Sequence, residues 1–190
     1  SNTIVIKDFK KNILDIFDAN DFFKCTRKSI RHWSKIIDAV MTNDKGDLFT
    51  EFLTKVASFG IIFNRDSDTK QKIKSFERIC FVIYSGERDK YQGKLVILLE
   101  KMGEVIKNAE SSPPALLILV IFCVRVLILR LSSLILNELF RNIWPHLLTL
   151  LIQIFNKKNT QKNPNLILAA LKLIELMSIV GLEEFYGNQW

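Results

Sequence analysis

Two arginines stand inside one of the most apolar segments of the chain, residues 122–132. Aliphatic residues flank Arg125 and Arg130 on both sides, and the segment ends at Ser132. A charged side chain taken out of water without a partner carries a large desolvation cost. The segment is therefore expected to pack among neighbouring helices that supply carboxylates or backbone carbonyls. Arg125 and Arg130 are predicted to be structural buried charges.

The apolar stretch that leads into this segment, residues 115–131, is the one candidate for a membrane span, and it is too short to cross a membrane. Its uninterrupted apolar run, residues 115–124, has ten residues, whereas a spanning helix needs about 20. Each arginine near the centre of a bilayer would cost ~2.5–3.5 kcal/mol. The pattern favours a helix in the core of a protein.

Short polar breaks divide the whole chain into helical segments. Apolar residues recur at three- and four-residue spacing, and only seven glycines and four prolines interrupt them. The segments around 115–131 and 166–180 are apolar on more than one face, so they must be covered on several sides. The sequence predicts an all-α fold, a HEAT- or armadillo-like α-solenoid of roughly seven to nine antiparallel helices. A compact helical bundle is the alternative.

Particular residues predict where these helices begin. The predicted starts are Thr3, Ser29, Asp47, Asp66 or Ser67, Arg88, Pro114, Ser133 or Pro145, and Pro164. Gly60 is predicted to end the third helix. Residues 1–2 are interpreted as an expression scar and residues 3–190 as a single helical domain, the C-terminal piece of a larger protein.

The residues that carry chemistry give no catalytic or metal-binding pattern. His32 and His146 are far apart and have no partner at metal-ligand spacing. The phosphate-binding and nucleophile motifs are absent from the sequence. Three cysteines, widely spaced and odd in number, are typical of a reduced, cytoplasmic protein. We therefore expect no enzyme activity, no metal and no cofactor.

A basic cluster is the strongest candidate for a binding surface. Its five members, with no acidic residue among them, are Lys24, Arg27, Lys28, Arg31 and Lys35. Lys28, Arg31 and Lys35 share one helix face. The net charge of +7 favours anionic partners. Since no nucleic-acid-binding signature accompanies the cluster, the choice is between an anionic-lipid or phosphate contact and an ordinary solvated surface.

An apolar stripe is the second candidate surface. It consists of Leu95, Leu98, Leu99, Met102 and Val105. At helical spacing such a stripe serves either as a docking surface for a protein partner or as the core-facing side of its helix.

Several short stretches resemble, in the same order, the C-terminal region of the Dopey family. They are IRHW at 30–33, FNRD at 63–66, FVIYS at 81–85, DKYQ at 89–92, RVLILRLS at 125–132 and WP at 144–145. The loop 156–163 is shorter than in the animal members of the family, and the end of the chain matches weakly.

The resemblance implies a non-enzymatic interaction module. Dopey proteins are large peripheral proteins on the cytoplasmic side of Golgi and endosomal membranes, where they act in vesicle-mediated transport. The partners implied are a scaffold related to the Arf exchange factors and an aminophospholipid flippase. A homodimer and contact with an anionic membrane containing phosphoinositide remain open. We expect no nucleic-acid partner.

Overall fold

The structure is a computed structural model that describes residues 2–43, 47–57, 66–156 and 163–180. Within these ranges, side chains are described from residue 8 onwards, except at 57 and 66–68. Helices account for most of the described residues, and none of these residues forms a strand. The predicted all-α fold class is confirmed.

Nine α-helices and two short 3-10 helices make up the described part of the chain. In chain order the α-helices are α1 (Asn2–Asp18), α2 (Arg27–Thr42), α3 (Leu48–Ala57), α4 (Asp66–Ser85), α5 (Val96–Lys107), α6 (Pro114–Arg130), α7 (Ser133–Phe140), α8 (Trp144–Phe155) and α9 (Pro164–Val180). The 3-10 helices are Phe22–Lys24 and Gln92–Lys94. Neighbouring helices pack on one another, which is consistent with an α-solenoid and with a helical bundle.

Helix α6 lies at the centre because it is apolar around almost its whole circumference. It packs against α4, α5 and α9. Ten of its 17 residues are buried, and each fully buried aliphatic side chain contributes about 1.5–3 kcal/mol. Pro114 occupies the first turn, where its missing N–H removes no helical hydrogen bond. Within the described residues, no helix combines the length and apolarity needed to cross a bilayer.

Helix α2 begins earlier than the sequence predicted. Thr26 is its N-cap, and its hydroxyl oxygen accepts a hydrogen bond from the backbone N–H of Ser29 at 3.2 Å. Thr26 is itself a good cap and lies three residues ahead of Ser29. The prediction that Ser29 caps this helix is wrong. Arg27 and Lys28 consequently belong to the first turn of α2.

The predicted helix starting at Arg88 is also wrong in its first part. Residues 88–91 form a turn, a 3-10 helix follows, and α5 starts only at Val96. Asp89 has a positive φ of 60°, which an α-helix does not allow. The predicted end of the third helix at Gly60 lies outside the described residues.

Hydrogen bonds hold the C-terminal end of α6 to the turn that follows α4. The guanidinium of Arg130 donates to the carbonyl of Gly86. The backbone N–H of Asp89 donates to the carbonyl of Arg130 at 3.0 Å, and the Asp89 carboxylate accepts from the N–H of Ser132 at 2.7 Å. These bonds fix the positive φ of Asp89 and satisfy backbone groups at the end of α6.

Arg125 and Arg130 are half-buried rather than enclosed. Arg130 has the Gly86 carbonyl as partner, whereas Arg125 has no hydrogen bond or ion pair with any described residue. The description of both as buried charges therefore needs correction. The arginine that the core does enclose is Arg78 on α4, which is 2 % exposed.

Arg78 is surrounded by aromatic rings. Its guanidinium carbon lies 4.6 Å from the ring centre of Phe23 and 5.3 Å from those of Phe17 and Phe22. Its Nη2 donates to the carbonyl of Ala19 at 2.6 Å. Burial lowers the pKa of Arg78, but a guanidinium remains charged in proteins. The cation is therefore held by ring faces, by one carbonyl and by the Glu77 carboxylate 3.9 Å from its Nη1. The rings and the carbonyl join α1 and the following 3-10 helix to α4.

We predict that Arg78→Ala lowers the free energy of unfolding by at least about 3 kcal/mol. The change removes the packing against three rings and leaves the Ala19 carbonyl unpaired. Urea unfolding followed by circular dichroism measures the effect. Arg141→Ala on the exposed surface is the control and should change stability by no more than about 0.5 kcal/mol. An equal effect of the two variants would contradict the structural role of Arg78.

Asp47 makes the stability of the fold depend on pH under acidic conditions. Its carboxylate contacts Lys94 Nζ at 2.5 Å and accepts a hydrogen bond from the N–H of Thr50. The hydrogen bonds from Lys94 and Thr50 lower the pKa of Asp47 from 3.8 to about 2. The unfolded chain therefore binds the proton first, and stability from this group is lost as the pH falls from 3.8 towards 2.

We predict that Asp47→Asn reduces the loss of stability across that pH window. Asparagine keeps an oxygen for the Thr50 N–H but cannot titrate. Urea unfolding midpoints at pH 4.5, 3.5 and 2.5 provide the measurement. Parallel pH profiles for the two proteins would show that Asp47 does not contribute.

Candidate functional site: an apolar groove and a basic helix face

One stripe of the central helix α6 is left open by its neighbours. Ile118, Phe122 and Arg125 follow each other at four- and three-residue spacing and therefore share a face. Phe122 is 44 % exposed although ten other residues of α6 are buried. This stripe forms the floor of a groove of about 900 Å³.

Helices α4 and α9 form the two sides of the groove. The lining residues of α4 are Ile73, Glu77, Cys80, Phe81 and Tyr84, and those of α9 are Asn165, Leu168, Ala169 and Lys172. Both sets recur at helical spacing, so each helix contributes one continuous ridge. Phe23 and Ile30 complete the lining from the segment before α2 and from α2 itself. The groove is thus built from four separate parts of the sequence.

Large apolar side chains lie open in this groove. Phe122 and Leu168 are 44 % and 50 % exposed, and Tyr84 on the α4 side is 49 % exposed. Since each apolar residue left in water forgoes its burial free energy, a cluster of them usually marks an interaction surface. The predominantly apolar lining suits the apolar face of another molecule.

Three charged side chains accompany the apolar lining. Arg125 and Lys172 are cationic, and Glu77 is acidic. The Nε of Arg125 is buried without a hydrogen-bond partner among the described residues. Burial raises the pKa of Glu77, although Arg78, whose Nη1 lies 3.9 Å from its carboxylate, counteracts the rise. The lining of the groove therefore carries more positive than negative charge, and the guanidinium of Arg125 has no partner among the described residues.

Cys80, the cysteine in the groove lining, has an unreactive thiol. Burial raises the pKa of Cys80 well above its ordinary value, and the neighbouring thiol of Cys123 raises it further. A thiol that stays protonated is a poor nucleophile and a poor metal ligand. Both cysteines are buried and not disulfide-bonded, while Cys25 is half-buried.

The predicted basic cluster lies in solvent and outside the lining of the groove. All five of its members, Lys24, Arg27, Lys28, Arg31 and Lys35, are exposed. Lys24 directly follows Phe23 and Arg31 directly follows Ile30, the two residues that line the groove from this side. On α2, however, Lys28, Arg31 and Lys35 lie about 100–160° round the helix from Ile30, so the basic helix face points away from the groove. Whether it binds an anion stays a prediction.

The predicted apolar partner surface is not a surface. Leu95, Leu98, Leu99 and Met102 are buried, and Val105 is half-buried against the core. Helix α5 turns this stripe towards its neighbours α3, α6 and α8. The correction follows from packing, since burial of the stripe removes it from any partner.

The sequence does not predict the groove, because the apolar residues on several faces of α6 and α9 predict that neighbouring helices cover these faces. Phe122, Tyr84 and Leu168 carry no local sign that they lie in solvent. One signal was present, since Arg125 falls on the same face as Ile118 and Phe122. A cation on an otherwise apolar helix marks the side that faces water or a charged partner.

The described residues give no support to metal chemistry. No three side chains among the histidines, cysteines and acidic residues of these ranges are close enough to hold an ion. His32 is exposed on α2 and His146 is half-buried on α8. Their positions offer no joint site.

Comparison with known proteins places the chain in a family. A model described as DOP1 C-terminal matches residues 2–190. Protein pad-1 of Caenorhabditis elegans is 26 % identical over 158 residues, which cover 80 % of this chain. The DOP1 homolog of Drosophila melanogaster is 28 % identical over 154 residues, or 78 % of the chain. Protein DOP1B of Xenopus laevis is 31 % identical over 147 residues, or 77 % of the chain.

The matched region is a small part of each relative. The alignments cover 6 % of the worm, fly and frog proteins. No solved structure matches the chain significantly. A family model that spans residues 2–190 nevertheless settles the relationship, and the chain belongs to the DOP1 C-terminal family, the Dopey proteins that its sequence resembles.

Proposed function

We propose that this chain is a non-enzymatic protein-interaction domain of a Dopey-like peripheral membrane protein that acts in Golgi and endosomal vesicle-mediated transport. Membership of the DOP1 C-terminal family supports the assignment to this class of protein. The matched part of the chain corresponds to 6 % of the length of the worm, fly and frog relatives. Its own contribution is therefore argued from its surface.

The observation that carries the proposal is the open apolar floor of the groove. The floor belongs to α6, the helix that the rest of the fold buries, and it leaves Phe122 half in solvent. A fold that otherwise covers α6 has no stability reason to leave this stripe uncovered. A bound partner would bury it.

The partners proposed for this domain are the scaffold related to the Arf exchange factors and the aminophospholipid flippase. We propose that both proteins contact the domain on the cytoplasmic side of Golgi and endosomal membranes. A second copy of the chain is the other protein partner to consider. Each of them can be tested against the same groove.

We predict that Phe122→Glu abolishes co-purification of the partner with this chain. A carboxylate in the middle of an apolar contact adds a desolvation cost of several kcal/mol. The chain is co-expressed with the scaffold and, separately, with the cytoplasmic segments of the flippase, and affinity purification measures what is retained. Leu134→Glu is the matched control, because Leu134 on α7 is 77 % exposed and does not line the groove.

Two outcomes would count against this proposal. Retention of a partner by Phe122→Glu would move the binding surface away from the groove. Failure of the unaltered chain to retain either protein would remove both as partners of this domain. The thermal unfolding midpoint of each variant is compared with that of the unaltered chain, to distinguish a loss of binding from a loss of the folded structure.

The basic face of α2 supports a second candidate, an anionic-lipid contact that includes phosphoinositide. All five basic side chains point to solvent, and three of them lie on one side of the helix. A basic residue near an anionic membrane surface contributes about 1 kcal/mol, and the attraction falls with salt. This contact would orient the domain on the membrane without a cofactor or a lipid pocket.

We predict that changing Lys28, Arg31 and Lys35 together to Glu weakens binding to phosphoinositide-containing vesicles by at least about a hundredfold, since about 3 kcal/mol of attraction is lost. Co-sedimentation with vesicles at low and physiological salt measures it. The control is a charge-matched variant in which Lys11, Lys107 and Arg141, which are exposed elsewhere on the surface, are changed to Glu. Equal weakening by both variants would indicate a dependence on net charge alone, and no weakening would eliminate the lipid contact on α2.

A further inference from the structure

We propose that the groove binds an amphipathic helix of a protein partner, about three turns long, with an acidic residue that pairs with Arg125. This inference rests on the proposed interaction function of the groove and names the chemistry of its occupant. Its support comes from the length, the walls and the charges of the groove.

The floor sets the length of the occupant. From Ala115 to Arg125 the lining residues of α6 cover about 15 Å, since an α-helix rises about 1.5 Å per residue. A helix of about three turns has the same length. On such a helix, residues at positions i, i+3 or i+4, and i+7 would face Ile118 and Phe122.

The walls favour a helical occupant over an extended one. The floor and the two sides of the groove are the helices α6, α4 and α9, whose backbone N–H and C=O groups bond within each helix beyond its terminal turns, and the described part of the chain offers no strand edge. An extended peptide would therefore carry unpaired backbone groups into an apolar site, each at a cost. A helix satisfies its own backbone and presents only side chains. Ridges on α4 and α9 provide the surface against which it packs.

Arg125 supplies the charge specificity. Arg125 lines the groove, its Nε is buried, and it forms no hydrogen bond or ion pair with any described residue. A planar guanidinium in an apolar setting is well suited to bind a carboxylate through two hydrogen bonds. An acidic residue on the occupant would therefore give Arg125 the partner that the fold does not provide.

The other two charges restrict where that acidic residue can lie. Lys172 adds a second cation to the lining and raises the preference for an anionic occupant. Glu77 faces the groove from α4, so a carboxylate next to it would be repelled. The acidic residue of the occupant is therefore expected beside the cations of the lining and away from Glu77.

A displayed library of 14-residue helical peptides tests the proposal directly. The positions on one face are randomised, and the library is selected against the chain with counter-selection on Phe122→Glu. Enriched peptides are expected to carry Asp or Glu at one fixed spacing from apolar anchors. A chosen peptide is then synthesised with a fluorescent label, together with a version in which the acidic residue is Gln or Asn, and affinities are measured by anisotropy.

Arg125 and the acidic residue are then tested as a pair. We expect the acidic peptide to bind about tenfold more tightly than its amide version, since the pair is a charge-assisted hydrogen bond. Arg125→Met should bring the two peptides to equal affinity. Leu168→Glu on the opposite wall should abolish binding, and Leu134→Glu should leave it unchanged. Thermal unfolding identifies any variant that fails to fold.

Different failures separate the inference from the proposed function. Peptides that depend on Phe122 but show no acidic preference, or no coupling to Arg125, would overturn the named chemistry and leave the docking groove intact. A selection that yields no Phe122-dependent peptide would overturn both.

Two further measurements address other occupants. Self-association of the chain in sedimentation, if lost on Phe122→Glu, would make the occupant a second copy and overturn the proposal. The chain is also tested for binding to phosphatidylserine vesicles. If this binding is lost on Phe122→Glu but kept when Lys28, Arg31 and Lys35 are changed to Glu, the occupant of the groove is a lipid, and the proposal is overturned.

Discussion

The burial of helix α6 is the constraint on which the rest of the structure depends. A helix that is apolar nearly all round gains stability only if other helices cover it, and α4, α5 and α9 do so. Those helices are then fixed in place by their shared contacts with α6. The one stripe they leave open, at Ile118, Phe122 and Arg125, becomes a groove because its walls are set by the same packing.

Three buried or half-buried arginines, Arg78, Arg130 and Arg125, differ in the partners of their guanidinium groups. Arg78 is enclosed and held by aromatic rings, one carbonyl and the Glu77 carboxylate, and Arg130 donates to the backbone carbonyl of Gly86, just after α4. Arg125 has neither kind of partner among the described residues. The first two are explained by folding, since they connect chain segments. The third lines the same groove as the exposed Phe122, and we propose that it is used in binding.

Much of the helical architecture could be predicted from local chemistry. Pro114 and Pro164 begin helices in the structure as predicted, since proline is suited to a helical first turn. The predictions failed where a local signal had a competitor or a tertiary partner. Thr26 displaced Ser29 as the cap of α2, and hydrogen bonds to the end of α6 hold Asp89 outside the helical region.

The amino-acid sequence by itself determined the all-α fold class, the family and the basic side of α2, because periodicity, matching residues and charge are properties of the chain read in order. Only the tertiary structure decided that the stripe from Leu95 to Val105 faces the core while Phe122 faces solvent. Both are apolar positions on helices. Which side of a helix is covered depends on where distant helices pack, and periodicity along one helix does not contain that information.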